Sequence, residues 1–338
     1  MRLFRNALAV AALAWGAAAG GASRPRVAAP LKVALVMPGR ASEPGYYNAG
    51  FKALIAARAQ FGAEIKFVES LKATDAEQVF RVLGDEGFNY VIVMGGGNYD
   101  DQVRDVADDY PHLKFIVVSG AFTRLPNIVS VRTGNAGVPY LAGVLMAGMS
   151  KTGKIGLIGA RATPPAMADH VAVIAGARQL RPDIVVQDIY TEAYDNPALG
   201  KEAALALIDQ GVDLIFTNAG TTSFGVFEAA HERRVLAVGA ATDQNECCPD
   251  TVLTSALYGT DAAVVGLIAL DRGPGWQDRV YTVDFAAVDL APFHTLGPRV
   301  PAALRSRLAD VRRQLSDGQL KVPGTYDAIA VRSPLAGK

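Results

Sequence analysis

The sequence predicts an α/β protein built as two doubly wound parallel-sheet lobes joined by a three-segment hinge. Three observations carry that expectation. Apolar, β-branched runs alternate with amphipathic helical patterns from Lys32 onward, and the alternation restarts near Lys154. Two segments, residues 74–98 and 199–222, repeat one plan in which a helix ends at glycine, a buried strand follows, and a glycine-containing loop closes the unit. Strands alternating with helices require βαβ crossovers and therefore parallel sheets. A single long doubly wound sheet is the alternative topology.

In the first half, residues 32–37, 65–69, 90–94 and 114–118 are near-continuous apolar runs, as in strands buried on both faces. Between them Ala76, Val79, Phe80 and Leu83 recur at i, i+3, i+4 and i+7, and Thr74 with Glu77 has capping-box spacing. Val103, Val106, Ala107 and Tyr110 repeat that stripe. In the second half, residues 154–159, 184–190, 212–217 and 235–239 read as strands, and Asn196 followed by Pro197 suits a helix N-cap and first turn. The tail adds a strand over 252–257, a helix over 261–271, a strand over 280–288 and a charged helix over 301–316. Crossings near Gly134, Pro249 and Asp289 divide the chain into a first lobe of residues 31–134 plus 250–288 and a second of 135–249 plus 289–330.

Ahead of the lobes, Arg2 and Arg5 precede an alanine-rich apolar run over residues 7–19 and small residues over 20–23. That is the layout of a cleavable secretory signal, assigned here to residues 1–28. No cysteine lies near the expected cleavage point to be acylated, and no later apolar run approaches the length of a membrane span. A free periplasmic chain is the expectation. Lys plus Arg and Asp plus Glu number 33 each, so the net charge is zero and nucleic acid is a poor partner. The two cysteines, Cys247 and Cys248, are adjacent and cannot staple distant segments, although a strained vicinal bridge is geometrically open to them.

Ligands of open parallel sheets bind beyond the carboxyl ends of the strands, so the loops there hold the candidates. Tyr46, Tyr47 and Asn48 follow the first strand, and Gly96 and Asn98 the third. In the second half come Tyr194, then Asn218, Gly220 and Thr221, then Asp243. Aromatic rings give stacking area at low entropy cost, and amides read ring nitrogens and exocyclic groups, so the mixture suits a flat polar ligand. Catalysis has less support. The glycines at 95–97 lack the spacing of a dinucleotide or phosphate loop, and no metal, cofactor or nucleophile pattern is present. His112, His170, His231 and His294 lie far apart and read as surface or helix-end residues. Asp108 and Asp109 sit on a solvated helix face.

The phrase over residues 131–160, with Tyr-Leu-Ala-Gly at 140–143 and Ser-Lys-Thr-Gly-Lys-Ile-Gly at 150–156, resembles the most characteristic segment of the basic-membrane-protein family. Residues 206–230 and 238–244 resemble later segments of that family. The resemblance implies a type I periplasmic-binding-protein fold, a monomer without cofactor, and delivery of a small-molecule ligand to an ABC permease. It also implies a purine base or nucleoside held between two aromatics, with Tyr194 matching the second-lobe aromatic and Tyr46 or Tyr47 its first-lobe partner. Departures matter as well. Nucleoside-binding members carry Asp at the place of Ala241 and Lys near Tyr258, where they hold ribose hydroxyls, and the first loop here reads Ser-Glu-Pro-Gly-Tyr-Tyr-Asn. Tyr258 therefore joins the candidate ligand residues, and a free base or similar heterocycle is favoured over a nucleoside. A sugar-binding or signalling receptor of the same fold, and a secreted nucleoside hydrolase, are the alternatives.

Overall fold

The structure, a computed structural model, describes residues 30–323 apart from Pro44. The expected leader and the last residues of the second lobe lie outside the described residues. The first part of the chain runs β1 (Lys32–Val36), α1 (Tyr46–Phe61), β2 (Glu64–Val68), α2 (Ala73–Asp85), β3 (Tyr90–Met94), α3 (Asp100–Asp109), β4 (Lys114–Val118) and β5 (Ile128–Arg132). It continues α4 (Gly137–Met149), β6 (Lys154–Gly159), α5 (Pro164–Leu180), β7 (Val185–Tyr190), α6 (Pro197–Asp209), β8 (Leu214–Thr217), α7 (Ser223–Arg233) and β9 (Leu236–Ala241). The last elements are β10 (Val252–Leu257), α8 (Thr260–Asp271), β11 (Tyr281–Thr282) and α9 (Ala302–Ser316).

Two parallel sheets result, in the orders β11-β5-β4-β3-β1-β2 and β10-β9-β8-β6-β7. The central strands β3, β8 and β9 are buried along their whole length, which is why they read as continuous apolar runs, whereas the edge strand β2 is largely exposed. In the first lobe α1 and α8 cover one face of the sheet, and α2 and α3 the other. In the second, α4, α5 and α9 cover one face, and α6 and α7 the other. The most apolar segment of the chain, α4, is buried from Gly137 to Ala147 because it packs on strands and two helices at once.

Four expectations need correction. Residues 252–257, assigned by the sequence to the first lobe, form β10, the edge strand of the second sheet, in parallel register with β9. The chain at Pro249 only turns, with Thr251 N–H donating to the Cys248 carbonyl, and the crossing comes after Leu257. The strand expected over 280–288 is reduced to the two residues of β11, followed by a 3-10 turn at Phe285–Ala287. The capping box does not form: α2 begins at Ala73, and the Thr74 hydroxyl bonds the Asp75 carboxylate instead. His170, far from being at the surface, is fully buried. At α6, by contrast, the Asn196 side chain caps the helix by accepting from the Leu199 N–H.

One strand escaped the periodicity altogether. β5 occupies five residues between Pro126 and Gly134, too short a run to separate from the motif that follows.

Three crossings lie side by side between the lobes. Gly134 N–H donates to the Tyr258 carbonyl, Val283 N–H to the Arg132 carbonyl and Leu257 N–H to the Asp289 carbonyl. These bonds tie the three segments into one hinge.

Candidate ligand site between the lobes

The carboxyl ends of β1, β3 and β4 carry the first-lobe candidates, and the glycines there serve the backbone. Gly95 and Gly97 adopt φ of +83° and +96°, the left-handed region that favours glycine. A Cβ on Gly96 would lie 2.5 Å from the Ser119 and Gly120 backbone, so that position allows two loops to touch. The Gly96 N–H donates to the Val118 carbonyl, the Asn98 N–H to the Gly95 carbonyl, and the Gly97 N–H to Asp100. Tyr46 works on the same junction. Its hydroxyl donates at 3.1 Å to the Val118 carbonyl, lies 3.0 Å from the Ser119 hydroxyl, and accepts the Gly95 N–H at 3.0 Å. Burial raises the Tyr46 hydroxyl pKa. Tyr46 is thereby committed to bracing loops, as is Asn48, whose amide donates to the Ala41 carbonyl.

Tyr47 is the other first-lobe candidate ring. It packs edge-on to Tyr46, with centroids 5.5 Å apart, over Gly39, where a Cβ would lie 2.2 Å from the ring. Its hydroxyl is pushed up to about 12 by burial first and then by Tyr46, Glu43 and Tyr194. The last of these belongs to the opposite lobe. Next to them, the Gly45 N–H donates across the lobes to the Thr242 hydroxyl at 3.1 Å.

Tyr194 is 45% exposed and has the Arg161 guanidinium over its ring at 5.8 Å. Its loop is held from below. The Thr222 N–H donates to the Tyr194 carbonyl, while the Thr222 hydroxyl donates to the Ala193 carbonyl and accepts the Asn196 N–H. Gly220, at φ +63°, sits so close that a Cβ would lie 3.0 Å from the Tyr194 carbonyl. Gly220 thus shapes the turn under the ring, and Thr221 stands beside it. Asp243 is held by His294 at 2.7 Å and accepts the Asn245 N–H, a bracing arrangement.

Deeper between these loops lies a chain of hydrogen bonds. The Tyr258 hydroxyl donates to Asp169 Oδ2 at 2.6 Å, and Asn218 Nδ2 donates to the same oxygen at 3.3 Å. Asn218 Oδ1 in turn lies 3.2 Å from His170 Nε2, and His170 Nδ1 lies 2.7 Å from Asp188. The His170 ring stacks on Tyr190 at 5.0 Å. Burial drives the Asp169 carboxyl pKa upward against the lowering effect of Tyr258 and Asn218, and drives the Tyr258 hydroxyl well above its ordinary value. Asp169 and His170 were not among the sequence candidates because they lie on α5 itself, beyond the loop after β6. The legible signal was His170 opening the apolar run of residues 171–177.

A cavity of about 450 Å³ adjoins this cleft along the hinge, lined among others by Lys52, Thr242, Leu257, Gly259 and Arg312. Leu257 and Gly259 face it from either side of Tyr258, whose ring turns instead to Gly134 and Asp169. Among the described residues no cluster of His, Cys, Asp or Glu is arranged to hold a metal ion, and no helix is long and apolar enough to cross a membrane. Cys247 and Cys248 are free thiols, and burial pushes Cys247 up to about 12, with the neighbouring thiol adding to it.

Two parallel-sheet lobes, a three-strand hinge and aromatic loops at facing strand ends define a two-lobed receptor for a small ligand. Residues 31–270 match the model of the Bmp family, described as ABC transporter substrate-binding proteins of the PnrA-like type, and the chain belongs to that family. A transcriptional activator protein of Bacillus subtilis is 25% identical over 82% of this chain and 86% of its own. A purine-binding protein of Brucella abortus is 29% identical over 76% of this chain and 72% of its own. An ABC-transporter solute-binding protein from Conexibacter woesei shares the fold at a TM-score of 0.75, with 22% identity over 87% of this chain and 99% of that one. The family is one of extracytoplasmic substrate-binding proteins, with a small-molecule ligand and an ABC permease as partner.

Proposed function

We propose that this protein is the periplasmic receptor of an ABC importer and captures a free purine base, or a related flat nitrogen heterocycle, between its lobes. The observation that carries this reading is the placement of Tyr47 and Tyr194 on strand-end loops of opposite lobes, with Asp169 bonded to Tyr258 and Asn218 between those loops. Two rings from opposite lobes can sandwich a flat ligand only when the lobes come together, so stacking energy is gained in the closed form. The hinge supplies that motion, and the permease then meets a closed shape distinct from the open one. Ala241 and Tyr258, standing where nucleoside-binding members of the family carry Asp and Lys, favour a base over its nucleoside. The purine-binding relative from Brucella abortus supports the ligand class.

Calorimetric titration of the protein lacking residues 1–28 with adenine, guanine, hypoxanthine and their nucleosides tests the proposal. At least one base should bind more tightly than its nucleoside. Absence of both heat and thermal shift with all of them would refute the purine assignment.

A further inference from the structure

We propose that Asp169 is the specificity-determining acceptor of the cleft and selects heterocycles that present a ring N–H beside an exocyclic amine, the donor pair of guanine. The inference rests on the purine reading and narrows it. It follows from which polar groups around the cleft are already spent. Asn218, a natural candidate for reading a base, is tied at both ends of its amide, Nδ2 by Asp169 and Oδ1 by His170, which leaves it at most one N–H and one lone pair in a fixed orientation. The backbone N–H groups of Gly95, Gly96, Gly97 and Asn98 all donate within the first lobe. Tyr258 gives its proton to Asp169, so its oxygen offers the ligand a lone pair and no donor.

Asp169 keeps more acceptor capacity than these. A carboxylate offers about four lone-pair sites, and here Oδ2 takes two bonds while Oδ1 has no bonding partner among the described residues. Its two partners fix the side chain, and His170 fixes Asn218 in turn through Asp188, so the acceptor is held rigid before a ligand arrives. With Oδ2 filled, the two open lone-pair sites of Oδ1 can take two adjacent, parallel N–H groups together as charge-assisted bonds. A ligand that lacks one of the two donors leaves part of a desolvated carboxylate unsatisfied, and sites built this way reject such analogues.

The test compares ligands that differ at this edge alone. Guanine should bind about tenfold to a hundredfold more tightly than hypoxanthine, which lacks the exocyclic amine, and guanosine should exceed inosine likewise. 1-Methylguanine, blocked at the ring N–H, should fall to the hypoxanthine level. Asp169→Asn keeps an acceptor for Tyr258 and Asn218 but replaces one oxygen by an amide donor, and should bring guanine and hypoxanthine within about threefold of each other. Equal affinities for guanine, hypoxanthine and 1-methylguanine in the wild-type protein would overturn the role of Asp169 and leave the purine reading standing. An Asp169→Asn protein that melts no lower than the wild type and loses affinity for both bases equally would do the same. Failure of every purine to bind would overturn both. The 1-methylguanine comparison needs no variant, so it decides the matter even where Asp169→Asn folds poorly.

Discussion

At the scale of single residues, the rings proposed to stack on a ligand differ from the one whose hydroxyl holds the loops. Tyr194→Ala should weaken ligand binding by roughly fivefold to a hundredfold, since one aromatic stacking face is worth about 1–3 kcal/mol per base. Tyr46→Phe should act differently. It removes the hydroxyl that accepts the Gly95 N–H and donates to the Val118 carbonyl, so thermal unfolding should show a loss of about 1–3 kcal/mol with little direct change in ligand ranking. Asp169 gives a pH-dependent prediction for the ligand-free protein. Burial raises its folded pKa above the unfolded value, so the folded chain holds this proton more tightly than the unfolded chain. The stability that this group contributes is full below the ordinary carboxylate range and is lost as pH rises toward the folded value. Asp169→Asn escapes that loss. Its melting temperature should exceed that of the wild type at neutral pH, and the gap should close as pH falls to about 4; a constant gap across pH would contradict the burial argument.

At the scale of elements, the second lobe is built on helix pairs that touch through glycine. A Cβ on Gly143 of α4 would lie 2.0 Å from the Val173 carbonyl oxygen of α5, and one on Gly176 of α5 would lie 2.0 Å from the Tyr140 carbonyl oxygen of α4. Each glycine thus admits the other helix's backbone. The contact is rigid on both sides, so Gly143→Ala must push the helices apart and should destabilise the protein by about 1–3 kcal/mol, the usual cost of overpacking. Gly266 in α8 has nothing within 4 Å of such a Cβ. Gly266→Ala should therefore raise stability by about 0.5–1 kcal/mol through helix propensity and a less flexible unfolded chain. Chemical denaturation of the two variants side by side tests whether the difference lies in the packing.

At the scale of the molecule, ligand binding and lobe closure are one equilibrium. The Gly45–Thr242 hydrogen bond is a contact that a wider opening of the hinge would break. A ligand that binds only the closed form shifts the population toward it. Saturating guanine should then reduce the radius of gyration in X-ray scattering and stabilise the fold by about 2.7 kcal/mol at a hundred times Kd. A thermal shift with no compaction would mean that the ligand binds without closing the lobes.

The sequence by itself determined the two-sheet architecture, because strands buried on both faces must be near-continuous apolar runs, and β3, β4, β6 and β8 are short runs of that kind. It also determined the family, through the segment at 140–156, and α4 explains that segment as a helix buried on all sides with a glycine contact at Gly143. The Asn196 cap was readable because capping is local, with donor and acceptor three residues apart. What only the tertiary structure decided was non-local. Which lobe owns β10 depends on pairing with β9 rather than on its own pattern, and the bracing role of Tyr46 rests on a hydroxyl finding partners 49 to 73 residues away. Asp169, Asn218 and Tyr258 lie 49 and 89 residues apart in pairs, and a carboxylate on a helix reads as solvated until folding brings a buried amide and a phenol to it. Periodicity reports which face of an element is dry, and it carries no information about which polar groups meet there.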